Sequence, residues 1–242
     1  MRVLVISDIH ANLTAFQRVL ESAADEWDKI WCLGDIVGYG PDPNECIETL
    51  RQYDHLSLSG NHDWAVMDRL DIKTFNREAR AAIRWTQEAI SESNLSFLRS
   101  LPAHTVEGPF TLAHASPRQP LWEYILDTAT AGANLKKFET TYCLVGHSHV
   151  PMIFKEVGNS RAEWYAPSYG QPFELNQSRL IINPGSVGQP RDYDPRSAYG
   201  LLDLEAMTWE HRRVEYEFED TQARMAEAGL PDRLISRLGF GS

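Results

Sequence analysis

Residues 2–10 read RVLVISDIH: four consecutive apolar residues, Val3 to Ile6, followed within four positions by Asp8 and His10. The run is short, rich in β-branched side chains and closed by polar residues, so it reads as a buried strand over Arg2–Ile6. The pattern then changes period. Leu13, Phe16, Val19 and Leu20 fall on one face of a helix over Asn12–Ala24. A buried strand that passes through a polar loop into a helix is the building unit of an α/β domain.

Outward from that unit the alternation continues. Lys29–Leu33 reads as a strand, Pro43–Tyr53 as a helix and His55–Leu58 as a third strand, with helices over Asn76–Ile90 and Ser93–Ser100. Beyond Thr105 strands dominate: Phe110–Ala113, Tyr142–Val145, Met152–Val157, Arg179–Ile182 and Tyr199–Leu204. Val214, Tyr216 and Phe218 alternate with charges, which predicts a half-exposed strand over His211–Phe218 with the acidic Glu215–Asp220 stretch as its wet face. Pro231–Leu238 predicts a terminal helix. No repeat or low-complexity linker divides the chain, so residues 1–242 read as one domain.

Composition narrows the function classes. A chain of 242 residues that is 43% hydrophobic and 24% charged suits a soluble globular protein, with enough length to bury a core unaided. No apolar run approaches the ~18 residues of a membrane span, and Val3–Ile6 is too short for a signal peptide. Cys32, Cys46 and Cys143 form no CxxC pair and are odd in number, which points to a reducing, cytoplasmic setting. The net charge of −11, from 23 basic and 34 acidic residues, argues against non-specific nucleic-acid binding. An anionic substrate would need another attraction, and bound divalent cations would supply it.

Polar clusters follow the predicted strands. Asp8 and His10 follow the first, Gly34-Asp35 the second, and Gly60-Asn61-His62-Asp63 the third. His114 follows Phe110–Ala113, and Gly146-His147-Ser148-His149 follows Tyr142–Val145. Ligands of open α/β sheets gather beyond the carboxyl ends of the strands. Five such clusters can therefore meet at one place, and carboxylate, imidazole and amide oxygen form a mixed set suited to a divalent transition metal. Singly, each has an ordinary use: Asp8 as the acid at a helix start, Asn61 as a turn residue, any one His as a packed side chain.

Taken in order, SDIH, GDIVGYG, GNHD, LAHAS and GHSH resemble the signature blocks of the calcineurin-like metallophosphoesterase superfamily, D-x-H, G-D, G-N-H-[DE], H and G-H-x-H. NPGSVGQPRD at 183–192 resembles a further block of its small bacterial and archaeal branch. The resemblance implies an α/β fold, a four-layer α/β/β/α sandwich of two mixed β-sheets flanked by helices. It implies two divalent metal ions, drawn from Mn, Fe, Zn, Ni or Co. Asp8, His10, Asp35 and His149 would hold one metal; Asp35 would bridge, and Asn61, His114 and His147 would complete the other. His62 would lean over the phosphate as a transition-state stabiliser or general acid, and Asp63 would either orient His62 or cap the helix that follows.

Two departures shape the expected activity. The protein Ser/Thr phosphatase branch carries G-D-x-V-D-R-G, whereas Gly38 and Tyr39 stand here in place of the acid and the phosphate-binding Arg. Arg118 and Arg191 are the candidate replacements, since a guanidinium grips phosphate bidentately. The Asn183–Gly188 loop could offer main-chain N–H groups to substrate, or be a simple turn. The expectation is a dinuclear metal-dependent phosphoesterase hydrolysing small phosphodiesters or nucleotides. The alternatives are a phosphomonoesterase, including a low-efficiency Ser/Thr protein phosphatase, or a non-catalytic metal-binding scaffold.

Overall fold

A computed structural model describes residues 1–176 and 178–242. The opening strand β1 (Arg2–Ile6) pairs in parallel with β2 (Lys29–Cys32), and β2 with β3 (His55–Ser57). On the other side of β1 run β11 (Ser197–Asp203), β12 (Thr208–Val214) and β9 (Phe173–Glu174), each antiparallel to its neighbour. A second six-stranded sheet has the order β4 (His104–Glu107), β5 (Phe110–Ala113), β6 (Tyr142–Val145), β10 (Leu180–Asn183), β7 (Met152–Glu156) and β8 (Ala162–Tyr165). Its centre, β5, β6 and β10, is parallel.

Strand alternation sets the layers. On β1, Leu4 and Ile6 face α1 (Leu13–Ser22), where they share a core with Phe16 and Val19. Val3 and Val5 face the other way and pack with Trp31, Phe110, Leu144 and Ile182 between the two sheets. On β6 and β10, Cys143, Val145 and Ile181 point to the far side, against Ala131 and Leu135 of α6 (Thr128–Leu135). The result is the expected sandwich: helices, sheet, sheet, helix. Helices α2 (Pro43–Leu50), α4 (Arg77–Ala89) and α5 (Glu92–Ser100) complete the larger helical layer, with α7 (Phe218–Glu227) and α8 (Asp232–Arg237).

One expected element is shifted. The last strand is Thr208–Val214, not His211–Phe218, and the acidic stretch is not its wet face. Tyr216 is buried, and Glu219 and Asp220 open the first turn of α7, where the helix dipole favours negative charge. The short helix α3 (Asn61–Val66), the edge strands β4 and β8, and α6 are further elements that periodicity did not announce.

Candidate metal centre

The parallel strands of both sheets end at one place, and their loops are laced together there. Asp8 N–H donates to Gly34 O at 3.0 Å and His10 N–H to Asp35 O at 3.0 Å, tying the loop after β1 to the loop after β2. Gly146 N–H donates to His114 O at 2.7 Å, tying the loop after β6 to the end of β5. The loop after β10 joins them: Val187 N–H and Gly188 N–H donate to Ser7 O and Asp8 O, both at 3.0 Å. With Gly185 N–H on Asn183 Oδ1 and Gln189 N–H on Ser186 Oγ, these N–H groups are engaged within the protein. The loop therefore braces the centre, and the expectation that it offers those groups to substrate is not met.

The bracing holds unusual backbone. Asp8, His10, Asp35, His147 and His149 all have φ between 49° and 63°, the left-handed region that non-glycine residues rarely occupy. Each such residue costs roughly 1–3 kcal/mol, which surrounding structure must offset.

Two triads result, Asp8–His10–His149 and Asp35–His114–His147, all buried. Within each, one ligand atom per residue lies within 4.8 Å of the others. Asp35 also approaches the first triad: its Oδ2 is 3.5 Å from His114 Nε2 and 3.6 Å from His10 Nε2. Asn61 joins the second triad through Oδ1, 3.1 Å from His114 Nε2.

The ring orientations are set from behind. His10 Nδ1 faces Val37 O at 3.2 Å, His114 Nδ1 faces Leu33 O at 3.0 Å, and His149 Nδ1 faces Gln189 O at 2.6 Å. A carbonyl can only accept, so each Nδ1 carries a proton and each Nε2 is turned toward the triads, the usual arrangement behind a metal-bound histidine. The carboxylates are likewise half-committed. Asp8 Oδ2 accepts from His147 N–H at 3.0 Å and Asp35 Oδ1 from His62 N–H at 2.8 Å. Asp8 Oδ1, Asp35 Oδ2 and His147 Nε2 are buried without a hydrogen-bond partner. Unpartnered buried polar atoms are costly, and three of them converging with free imidazole nitrogens fit divalent cations.

Burial and close charges divide these groups. Burial pushes Asp8 above the usual carboxylate range and drives His10 and His149 well below the usual imidazole range. Burial also lowers His147 to about 3 and His62 to about 4. Burial opposes charge on Asp35 and His114 too, but their mutual attraction outweighs it. His114 rises to about 9, while Asp35, with His62 and His10 also near, is held well below the ordinary range.

His62 lies beside the triads at the start of α3. Its ring packs 4.9 Å from His10, 4.2 Å from Tyr39 and 5.2 Å from Phe75, and its Nδ1 has no partner. Asp63 turns away from it. The carboxylate accepts from Gly60, Ile36 and Val37 N–H groups at 2.9, 3.3 and 3.0 Å, so it caps α3 and pins the loop after β2. Arg191 reaches the site: its N–H donates to His149 O at 3.2 Å and its guanidinium sits 5.7 Å over the Tyr39 ring. Arg118 is committed elsewhere, in an ion pair with Glu123. Tyr124, stacked 4.0 Å from the His147 ring, was not singled out, because it lies in an irregular segment with no motif around it.

Comparison with known proteins places this geometry. Residues 1–207 match the calcineurin-like phosphoesterase superfamily domain. An uncharacterized protein of Methanocaldococcus jannaschii, MJ0912, is 37% identical over 99% of this chain and 98% of its own. The crystal structure of a metallophosphoesterase from Sphaerobacter thermophilus superposes with a TM-score of 0.92 at 46% identity, covering 100% of this chain and 99% of that one. A symmetrical bis(5'-nucleosyl)-tetraphosphatase of Aromatoleum aromaticum is 26% identical over 76% of this chain and 65% of its own.

Proposed function

The chain belongs to the calcineurin-like phosphoesterase superfamily, and on that premise we propose that it hydrolyses small phosphodiesters or nucleotides at a two-metal centre. The family and the relatives make it a hydrolase acting on phosphate esters. The observation that carries the two-metal reading is the position of Asp35 Oδ2, unpartnered and nearly equidistant from an imidazole of each triad. Asp8, His10, Asp35 and His149 hold one ion in this reading, and Asp35, Asn61, His114 and His147 the other. Ions of the Mn, Fe, Zn, Ni or Co class held there would supply a water nucleophile at neutral pH and charge stabilisation for an in-line displacement.

The chain's own residues do the rest. The Nδ1 bonds of His10, His114 and His149 to main-chain carbonyls fix the direction in which each Nε2 is presented. His62 stands over the phosphoryl group and meets its oxygens, while Asp63 acts through the loop it pins and is a positioning residue. Arg191 offers a guanidinium to the phosphate, the task for which Arg118, held by Glu123, is less available. Tyr39, packed on His62 where the protein phosphatase branch has Arg, favours small substrates over a phosphoprotein.

Residues 1–242 act as one domain in this reading, because Met225, Leu230 and Leu234 of the C-terminal segment bury in the same core as β1 and α1. Cys32, Cys46 and Cys143 are all buried and unpaired, which supports a cytoplasmic setting. Among the described residues no helix is long and apolar enough to cross a membrane. The net charge of −11 supports a small phosphate ester, not a nucleic-acid backbone, as the partner. A screen of mono- and diesters on metal-analysed protein tests the proposal. Turnover of diesters such as bis(p-nitrophenyl) phosphate is expected, and turnover of monoesters alone would replace it with the phosphomonoesterase reading.

A further inference from the structure

Beside the metal centre the structure has a cavity of about 400 Å³ whose wall includes Tyr39, Glu78, Tyr124, Arg191, Arg233 and Arg237. That volume is in the range of small-molecule sites, ~300–1,000 Å³. We propose that this cavity is a second anion subsite, which receives a phosphate of the substrate other than the one being hydrolysed, so that preferred substrates carry at least two phosphates. The proposal rests on the phosphoesterase reading above and names the substrate class within it.

The cavity adjoins the reacting site through shared walls. The Tyr39 ring is 4.6 Å from His10 and 4.2 Å from His62. Tyr124 stacks on His147, and Arg191 is bonded through its main chain to His149. A molecule bound between the triads therefore meets Tyr39, Tyr124 and Arg191 on its way into the cavity.

Charge identifies the occupant. Three guanidiniums and one carboxylate give this wall a formal +2 in a chain of net charge −11. Other arginines of the C-terminal half are matched to acids: Arg212 to Glu26 and Glu210, Arg213 to Asp192, and Arg224 to Asp42. Among the described residues Arg191, Arg233 and Arg237 pair with no Asp or Glu side chain, unlike those arginines. Arg191 donates from Nε and Nη2 to Gln189 Oε1 at 3.3 and 2.7 Å, and Arg237 Nε donates to the main-chain oxygen of Ser242. Burial and the nearby charges of Arg191 and Arg233 lower Arg237 to about 10. Three like charges gathered around a single carboxylate are stabilised by an anion, and the planar guanidinium fork matches phosphate oxygens.

Helix α8 supplies two of the three arginines. Arg233 and Arg237 stand four residues apart on one helix face, while Leu234 and Leu238 are buried and hold the helix against the core. The helix lies beyond residues 1–207, so Arg233 and Arg237 reach the cavity from outside the stretch that matches the family domain.

Isothermal titration of the full chain, saturated with manganese, tests the proposal with two non-hydrolysable probes: methylenediphosphonate, with two phosphoryl groups, and methylphosphonate, with one. In Arg233→Gln/Arg237→Gln the affinity for methylenediphosphonate should fall at least about tenfold, and that for methylphosphonate much less. The single variants Arg233→Gln and Arg237→Gln, each expected to lose part of the affinity, serve if the double variant does not fold. A smaller loss in folded variants, or an equal loss for both probes, overturns the subsite. The two readings separate cleanly. If the chain cleaves no phosphate ester but the diphosphonate still depends on the arginines, the subsite stands and the proposed function fails. If it cleaves diesters while diphosphonate binding ignores the arginines, the function stands and the subsite fails.

Discussion

The Nε2 atoms of His10 and His149 stand 3.1 Å apart although 139 residues separate them in the chain. Each ring places its Nδ1 proton on a main-chain carbonyl, so the two lone pairs face one another. A shared cation relieves that opposition. Saturation with manganese should therefore raise Tm over chelator-treated protein by roughly 5–10 °C, the shift for a ligand at about a hundred times its Kd in a chain of this size. His149→Ala should lose much of that increment. An unchanged Tm on chelation, measured by differential scanning fluorimetry, would count against the site.

His62 touches neither triad as a ligand, since Asn61 occupies that place beside His114. His62→Ala should keep its metal and lower kcat by about 10²–10⁴, the usual yield of one positioned acid–base group. If His62 protonates the leaving oxygen, the loss is smaller for nitrophenyl esters than for alkyl esters. If it stabilises charge on the other oxygens, the losses match. Full activity on both substrates would remove His62 from the chemistry.

Gly38 explains why this chain lacks the acid of the protein phosphatase branch. Its φ is +89°, and a Cβ there would stand 2.6 Å from His62 Nδ1. Gly38→Ala should displace the His62 ring and cost roughly 10²-fold in kcat, the scale of a 1 Å misplacement. Metal content should not change. A variant with normal kcat would show that the ring's position is not critical.

His211 gives a pH signature outside the two triads. It accepts from Trp209 Nε1 at 2.9 Å, faces Asn183 O at 2.8 Å, and is lowered by burial to about 4. The unfolded chain takes up a proton near pH 6.5 and the folded chain only near 4. Stability from this residue is thus complete above 6.5 and is lost as pH falls through that window, roughly 2 kcal/mol by pH 5. Buried His10, His62, His147 and His149 act in the same direction. Urea titrations of His211→Gln and wild type at pH 7.5 and 5 isolate the His211 share. The gap between them should narrow at pH 5, and a constant gap would refute the assignment.

The site was more legible than the fold around it. Candidate ligand residues sit in short motifs directly after strands whose apolar runs are unmistakable, such as Val3–Ile6 before Asp8. Arg191 was readable as a candidate from its motif. Arg118 carried an equal signal in HASPR, but only the tertiary structure brings Glu123 to it. The end of β12 was misread because Tyr216 and Phe218 continue a strand-like alternation while burying against helices. Edge strand β4 has mostly exposed side chains and so no apolar period to detect. Arg233 and Arg237 lie on the helix expected over Pro231–Leu238, but nothing in the sequence joins them to Tyr39, Tyr124 and Arg191, which share their cavity.

Among the described residues, Asp35 is the one whose carboxylate approaches an imidazole of each triad. Elemental analysis of metal-saturated wild type and Asp35→Asn by inductively coupled plasma mass spectrometry addresses it directly. About two ions per wild-type chain are expected, with both lost or depleted together in the variant. One ion per wild-type chain, or a variant that keeps one site full while losing the other, would contradict the bridged two-metal centre.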